Sequence, residues 1–404
     1  MLWSPVPQAI SSAQPNEVTV KLALVYNGIT RDMLLQGPLD RTAEFDGPST
    51  VAALYEALAV HEHTVTLIEA NVEAYERLRT SGVELVFNVA EGTHGADREA
   101  QIPAMLEMLG IPYTGSGPLS LALCLHKGKA KEILAYHGIP TPAFQVLQHP
   151  HEPLSETLAF PLILKLLHEG SSMGLSYDSI VETPQALVAR ARYLMQTYGQ
   201  PVLVEQFIDG REFTVPILGN TPARTLPVIE VLFQGPRPIT LFQPDDDVIR
   251  MLAHVHSQRL ASPLAFRLST DHERALVQTE DGGVLEIPVA LTRSVCPADI
   301  PATLATVLQE TALRAFHALE CQDWCRIDLR VGADGIPQVL ELNPIAGLDP
   351  ACWFPRSARA AGMDYPTLMQ TILEIACQRY GLQGRLRCLG HSTVQTEGAS
   401  RVWR

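Results

Sequence analysis

Four residues in one short stretch have the types and spacing for phosphoryl chemistry: Arg326, Asp328, Glu341 and Asn343, in the run CRIDLRVGADGIPQVLELNPIAGLD at Cys325–Asp349. Read as a β-hairpin, the run places Ile327, Leu329, Leu340 and Leu342 on one face and the four polar residues on the other, with Gly332–Gly335 as the turn. Two carboxylates and an amide oxygen form a hard, all-oxygen set suited to Mg²⁺, with Mn²⁺ as a substitute. Such an ion completes its shell with phosphate oxygens and water. A nearby arginine can neutralise oxygen charge that develops during reaction. A solvated hairpin face carries the same residue types, so the rest of the chain must decide between the two readings.

Further candidates lie upstream. Lys165 is the lone charge in the apolar strand pattern FPLILKLL (Phe160–Leu167) and needs a phosphate or carboxylate beside it. The loop that follows, His168–Gly174, has glycines that let it close over a ligand, and Ser171 and Ser172 can grip phosphate oxygens with the backbone N–H groups; a plain hairpin turn has the same composition. The run His126–Lys131 sets three lysines, Lys127 among them, at a helix start, where the macrodipole opposes cations; an anionic ligand or a solvated basic face would explain it. The strand pattern PVLVEQF ends at Glu205–Ile208, whose backbone could meet a purine edge. Glu205 or Glu212 could accept from its amine or from ribose hydroxyls.

The elements that must position these residues follow from periodicity. Val18–Tyr26, Ser49–Leu58, Val65–Ile68, Val72–Ser81 and Leu85–Val89 read as strand, helix, strand, helix, strand, which predicts an α/β domain with a parallel sheet. Ligands in such domains bind beyond the carboxyl ends of the strands, here Asn27-Gly28 and Asn88–Gly92. A short strand is expected at Ile111–Gly117, a helix at Pro301–Leu319 and a terminal helix at Tyr365–Tyr380. The 404 residues predict a leader at 1–17, an α/β domain at 18–117, a smaller unit at 118–200 with the Gly/Ser loop, a larger unit at 201–384 and a polar tail at 385–404. Within the larger unit, 232–293 is the least readable part. It opens on Glu230–Pro236, EVLFQGP, which resembles a picornaviral protease cleavage site, and shows a helical pattern near Val248–Leu260 and a hairpin about Asp281–Gly283.

A net charge of −14 disfavours nucleic acid and anionic membrane as partners. No apolar stretch is long enough to span a bilayer and the start lacks a secretory pattern, so a cytoplasmic protein acting on small molecules is expected. Seven scattered cysteines suggest buried thiols, with neither a disulfide framework nor a zinc pattern.

In order, MLEMLGIPYTGSGPLSLALCLHK, LKLLHEGSSMG, VEQFIDGREFTV, CRIDLR with ELNPIAGLDP, and ARAAGMDYPTL resemble the D-alanine–D-alanine ligase family of ATP-grasp enzymes. The resemblance implies an ATP-grasp fold with an amino-terminal Rossmann-like domain. It implies ATP and Mg²⁺ as cofactors, amino acids as substrates, and allows a homodimer. It implies that Lys127 and Lys165 hold ATP phosphates with the Ser171–Ser172 loop, that Glu205, Phe207 and Ile208 hold the adenine and Glu212 the ribose. Asp328, Glu341 and Asn343 would be the metal ligands, Arg326 and the Gly347 amide the oxyanion site, and Ser171 the loop serine on the substrate side. The implied reaction forms an acylphosphate, which an amine then converts to an amide.

Three features depart from the family pattern. Asn343-Pro-Ile-Ala-Gly347 replaces Asn-Thr-x-Pro-Gly, and Leu348-Asp349-Pro350 stands where hydroxyl residues commonly meet the acceptor carboxylate. Glu44 and Asp46, or Glu91, are the candidates for gripping the first substrate's ammonium. The lid with its Tyr-x-x-Lys pattern is replaced by Leu232–Arg293. D-alanyl-D-alanine ligase-like activity is the leading expectation; a ligase for other amino acids in specialised metabolism and a catalytically weak ATP-binding regulator are the alternatives.

Overall fold

The computed structural model describes residues 20–382 except 36–37, 61–62, 243–246, 249–250, 252–265, 269–273, 279–283 and 289–291. The expected leader, the polar tail and most of the Val248–Leu260 pattern lie outside the described residues.

KLALVY forms β1 (Lys21–Tyr26), whose apolar residues Leu22 to Val25 are all buried, as a strand covered on both faces requires. A short helix α1 (Arg31–Leu35) and then α2 (Pro48–Ala59) lead to β2 (Thr64–Glu69), and α3 (Ala74–Ser81) leads to β3 (Leu85–Asn88). The three strands pair in parallel in the order β2–β1–β3, as the alternating pattern predicts. The run Ile111–Gly117 makes only a single parallel bridge, Tyr113 to Val86, in place of the expected strand. Its Pro112, Gly115 and Gly117 interrupt any longer ladder.

Helices α4 (Gln101–Leu109), α5 (Pro118–Leu125) and α6 (Lys127–Tyr136) precede an antiparallel sheet of order β4–β7–β5–β6. Its strands are β4 (Phe144–Leu147), β5 (Leu162–Leu166), β6 (Ile180–Val181) and β7 (Val202–Gln206), with α7 (Pro184–Tyr198) packed on them through Leu187, Ala191 and Leu194.

A larger antiparallel sheet follows, built from β8 (Arg211–Gly219), β9 (Ala223–Thr225), β10 (Ile229–Phe233), β14 (Thr292–Val295), β15 (Trp324–Val331) and β16 (Pro337–Asn343) in the order β14–β10–β8–β15–β16, with β9 on β8. Between β10 and β14, β11 (Phe266–Leu268), β12 (Arg274–Gln278) and β13 (Val284–Pro288) form their own antiparallel sheet, and the pairing of β12 with β13 agrees with the hairpin expected about Asp281–Gly283. The first four residues of EVLFQGP lie in β10, and Glu230 takes two hydrogen bonds from Arg211 at 2.6 and 2.8 Å.

Helix α8 (Ala302–Ala318) closes the core of the larger sheet, its Leu308, Ala312 and Phe316 meeting Ile327, Leu329 and Leu342. Leu340 is not in that core. A bulge between Asp328 and Leu329 lets Val339 take the core position, and Leu340 turns to the cleft. After β16, α9 (Trp353–Ala360) and α10 (Tyr365–Arg379) return to the amino-terminal sheet, where Phe354, Leu368 and Ile372 pack with Leu22, Leu54 and Phe87. Among the described residues all six cysteines are free thiols, and Cys321 and Cys325 sit with Cys124 in the apolar interior. No helix of the described residues is long and apolar enough to cross a membrane.

Candidate active site

Two cavities meet between the sheets, sharing Lys127, Glu169, Ser171, Arg326 and Cys352 in their walls. The larger, of about 480 Å³, is lined by Lys127, Lys165, Ser171, Ser172, Glu205, Phe207, Ile208, Glu212, Arg326, Asp328 and Glu341. The smaller, of about 170 Å³, is lined by Glu44, Glu91, Asn343 and Gly347 together with the shared residues. Every residue that the sequence suggests for nucleotide, metal, oxyanion or ammonium contact therefore borders one cavity or both.

The hairpin supplies the floor. Arg326 stands opposite Asn343 and Asp328 opposite Glu341 in the β15–β16 register, so the four side chains share one face. Arg326 donates two hydrogen bonds of 3.0 Å to Asp328, and Asn343 Nδ2 donates to the same carboxylate at 3.1 Å. Lys127 Nζ meets Glu341 Oε2 at 2.5 Å. Burial alone would raise the Glu341 pKa; Lys127, with Lys165 and Arg326, instead holds it down to about 2. Both carboxylates thus already draw a side-chain cation, which is what an acidic face in a dry site demands. Among the described residues no three His, Cys, Asp or Glu side chains form a metal cage. The donor set here is two carboxylates and an amide, which fits an ion such as Mg²⁺ that takes its remaining oxygens from phosphate and water.

Lys127 opens α6, whose amino terminus is capped by His126 Nδ1 accepting from the Lys129 N–H at 3.1 Å. The carboxylate that Lys165 required is Glu205, at 2.7 Å, and the same side chain meets Lys131 at 2.5 Å. Burial opposes ionisation of Glu205, yet the two lysines hold its pKa at about 2. Glu205 therefore holds the two lysines together, with Lys165 in the wall of the larger cavity. Ile163, Phe207 and Ile239 give the same cavity an apolar slot whose chemistry suits a purine. Glu212 ion-pairs with Arg330 at 2.9 Å, and that guanidinium stacks 5.2 Å from the Phe207 ring. Burial raises the Glu212 pKa despite Arg330.

The Gly/Ser loop is tied down from the amino-terminal domain. Arg98 pairs with Glu44 and, at 2.9 Å, with Glu169, and donates to the His168 carbonyl at 2.8 Å. The Gly170 N–H donates to Glu44 at 2.5 Å. Ser171 and Ser172 adopt φ values of 46° and 60°, a left-handed pair of the kind that turns successive N–H groups to one side. Glu44 and Glu91 both border the small cavity, but Glu44 is engaged by Arg98 and Gly170, whereas burial and then the neighbouring Glu99 charge push the Glu91 carboxyl well up. Gly28, at the end of β1, is bonded to Glu69 at 2.9 Å and borders neither cavity.

Sequence reasoning held Lys131 only within the His126–Lys131 run, without singling it out, and missed Arg330, Arg98 and Glu99. Helical spacing could have found the first, four residues after Lys127 on the same face. Strand alternation could have found the second, two residues beyond Asp328. Arg98 carries no local signal, because its role comes from packing against a loop seventy residues on, and Glu99 is placed only by the folding of the small cavity around it.

These geometries can be set against known proteins. The profile described as "D-ala D-ala ligase C-terminus" matches residues 133–243 and 288–374. A D-alanine–D-alanine ligase of Pelotomaculum thermopropionicum is 30% identical over 346 residues, which are 83% of this chain and 93% of that protein. The chain belongs to the D-alanine–D-alanine ligase family. It is an ATP-grasp ligase, as its resemblance implied. A D-alanine–D-alanine ligase of Bordetella pertussis is 34% identical, covering 81% of this chain and 91% of its own, and the uncharacterized protein y4sG of Sinorhizobium fredii is 35% identical over 75% of this chain and 76% of its own. The crystal structure of D-alanine–D-alanine ligase from Bacillus anthracis shares the fold, with a TM-score of 0.63 at 23% identity, over 91% of this chain and all of that one. The segment between β10 and β14 carries the separate β11–β12–β13 sheet.

Proposed function

We propose that the protein joins the carboxylate of an amino acid, with D-alanine the leading donor, to an amine at the expense of Mg·ATP, through an acylphosphate. The observation that carries this reading is the meeting of the two cavities at Lys127, Ser171 and Arg326. A nucleotide in the larger one points its phosphates at the mouth of the smaller one.

In the first step the donor carboxylate oxygen attacks the γ-phosphorus and ADP departs. Lys127 and Lys165 hold phosphate oxygens, and the Ser171–Ser172 loop covers them with N–H groups and hydroxyls. Asp328, Glu341 and Asn343 would hold Mg²⁺, which supplies neutralisation of phosphate charge when bound. In the second step an uncharged amine attacks the acyl carbon, the C–O bond to phosphate breaks, and the nitrogen's proton leaves with the phosphate. Arg326 and the Gly347 amide stabilise the oxyanion between these events. Phe207 and Ile208 hold the adenine end, with Glu212 toward the ribose and Glu205 fixing the lysines; Glu91 or Glu44 faces the donor ammonium.

Phosphate release from Mg·ATP, measured against D- and L-amino acids singly and in pairs with mass spectrometry of products, tests the reading. Asp328→Asn and Glu341→Gln should each lower substrate-dependent release by at least about a hundredfold. Release that survives both substitutions, or ATP binding with no release for any pair, would favour a nucleotide-binding regulator instead.

A further inference from the structure

A buried cation stands in the wall of the larger cavity with no part of the reaction assigned to it. Arg330 lies two residues past Asp328 on β15, hence on the same face, and directly opposite Glu212 in the β15–β8 register. It is 4% exposed, its guanidinium 5.2 Å from the Phe207 ring and 5.3 Å from that of Phe233. A methionine or leucine would fill such a slot without desolvating a charge, so the use of an arginine there must lie in its acceptors.

Those acceptors come from three segments far apart in the chain. Arg330 pairs with the Glu212 carboxylate at 2.9 Å, donates to the Ile208 carbonyl at 3.1 Å and donates to the Pro238 carbonyl. Ile208 and Glu212 border the cavity themselves, as do Ile239 and Thr240 just past Pro238. The Pro238 segment reaches from the larger sheet to the smaller one: Arg237 donates to the Ile180 carbonyl at 2.7 Å, and Ile239 packs with Ile163 and Ile180. Among the described residues, the other hydrogen bond of the Glu212 side chain comes from the Thr240 hydroxyl at 3.4 Å. A carboxylate has about four acceptor sites, so ionised Glu212 keeps room for both ribose hydroxyls with Arg330 and Thr240 in place. Burial pushes its pKa up, and Arg330 is the strongest charge opposing that. Loss of that charge favours the protonated carboxyl, which has given up acceptor capacity.

Resting on the reading of this cavity as the nucleotide site, we infer that Arg330 is a positioning residue for the nucleotide's sugar: it aims Glu212 at the ribose hydroxyls and pins the Pro238 segment as the cavity wall. It acts through these groups and not on the nucleotide itself.

Equilibrium binding of Mg·ATP and Mg·2′-deoxyATP, followed by calorimetry without amino acids, tests this apart from catalysis. The unaltered protein should prefer ATP by at least about tenfold, the size of one hydrogen bond to a charged acceptor. Arg330→Gln, uncharged, should cut that preference to within about threefold. Arg330→Lys keeps a cation opposite Glu212 but cannot fork to both carbonyls; it should retain the preference while binding ATP at least about fivefold more weakly. A merely structural arginine would change the affinity for both nucleotides alike, so an unchanged preference in Arg330→Gln overturns the inference. An Arg330→Lys protein that loses the preference, or that binds ATP as the parent does, overturns it too, even where Arg330→Gln does not fold. An unaltered protein that binds no ATP removes the nucleotide site itself, and one that binds both nucleotides alike removes the ribose role of Glu212; either takes the inference with it before any variant is made.

Discussion

At the scale of single residues, the most consequential side chain is Glu205, 1% exposed between Lys131 and Lys165. Removing one member of such a buried set strands the others, so Glu205→Gln should cost about 3–5 kcal/mol at neutral pH, read from chemical denaturation. The sign of its pH dependence follows from a folded pKa of about 2 against an ordinary 4.5. Glu205 contributes fully above the ordinary value and loses its contribution as acid approaches the folded one. The gap between the unaltered protein and Glu205→Gln should therefore shrink as pH falls from about 5 toward 3; a gap constant over that range would refute the assignment. A lone lysine in an apolar strand announced that a partner must exist. Which carboxylate it would be was not readable, because Glu205 lies on β7 and reaches Lys165 only through sheet pairing.

At the scale of elements, the β15–β16 hairpin and the Gly/Ser loop divide the work. Alternation along β15 was legible because each side chain flips face at every residue. The bulge opposite Asp328 was not, since an extra residue leaves no mark on composition, and it moved Leu340 from core to cleft. The loop ends at Gly174, where φ is 74° and an added Cβ would lie 2.9 Å from Leu166 Cδ1. Gly174→Ala should lower stability by about 1–3 kcal/mol, from left-handed strain and overpacking together. A thermal midpoint equal to that of the parent would show that the loop relaxes freely. Such a result would also weaken the view that Ser171 and Ser172 are held ready for phosphate.

At the scale of the whole molecule, the cleft lies between two sheets, and the first strand and last helix of the described residues share one core. Asp323, fully buried, binds Arg379 of α10 at 2.8 Å and the Gly115 N–H at 2.8 Å. A ligand that bridges the sheets and binds only the folded state stabilises it by mass action, so ATP at a hundred times its Kd should add about 2.7 kcal/mol. AMP should protect far less at the same concentration if, as proposed, Lys127 and Lys165 hold the outer phosphates; equal protection by the two in a thermal scan would contradict that role. The amino acid sequence by itself determined most of the order of elements, the parallel class of the amino-terminal sheet, the β15–β16 hairpin, the family and many of the residues that border the cleft. Those depend on periodicity and on motifs whose parts are near in sequence. Only the tertiary structure decided that α10 packs on the amino-terminal sheet, that Arg98 and Glu44 clamp the loop, and that Glu91, Glu99 and Asp349 converge on one small cavity. Their charges interact through space across separations of up to 258 positions in the chain, which no local pattern records.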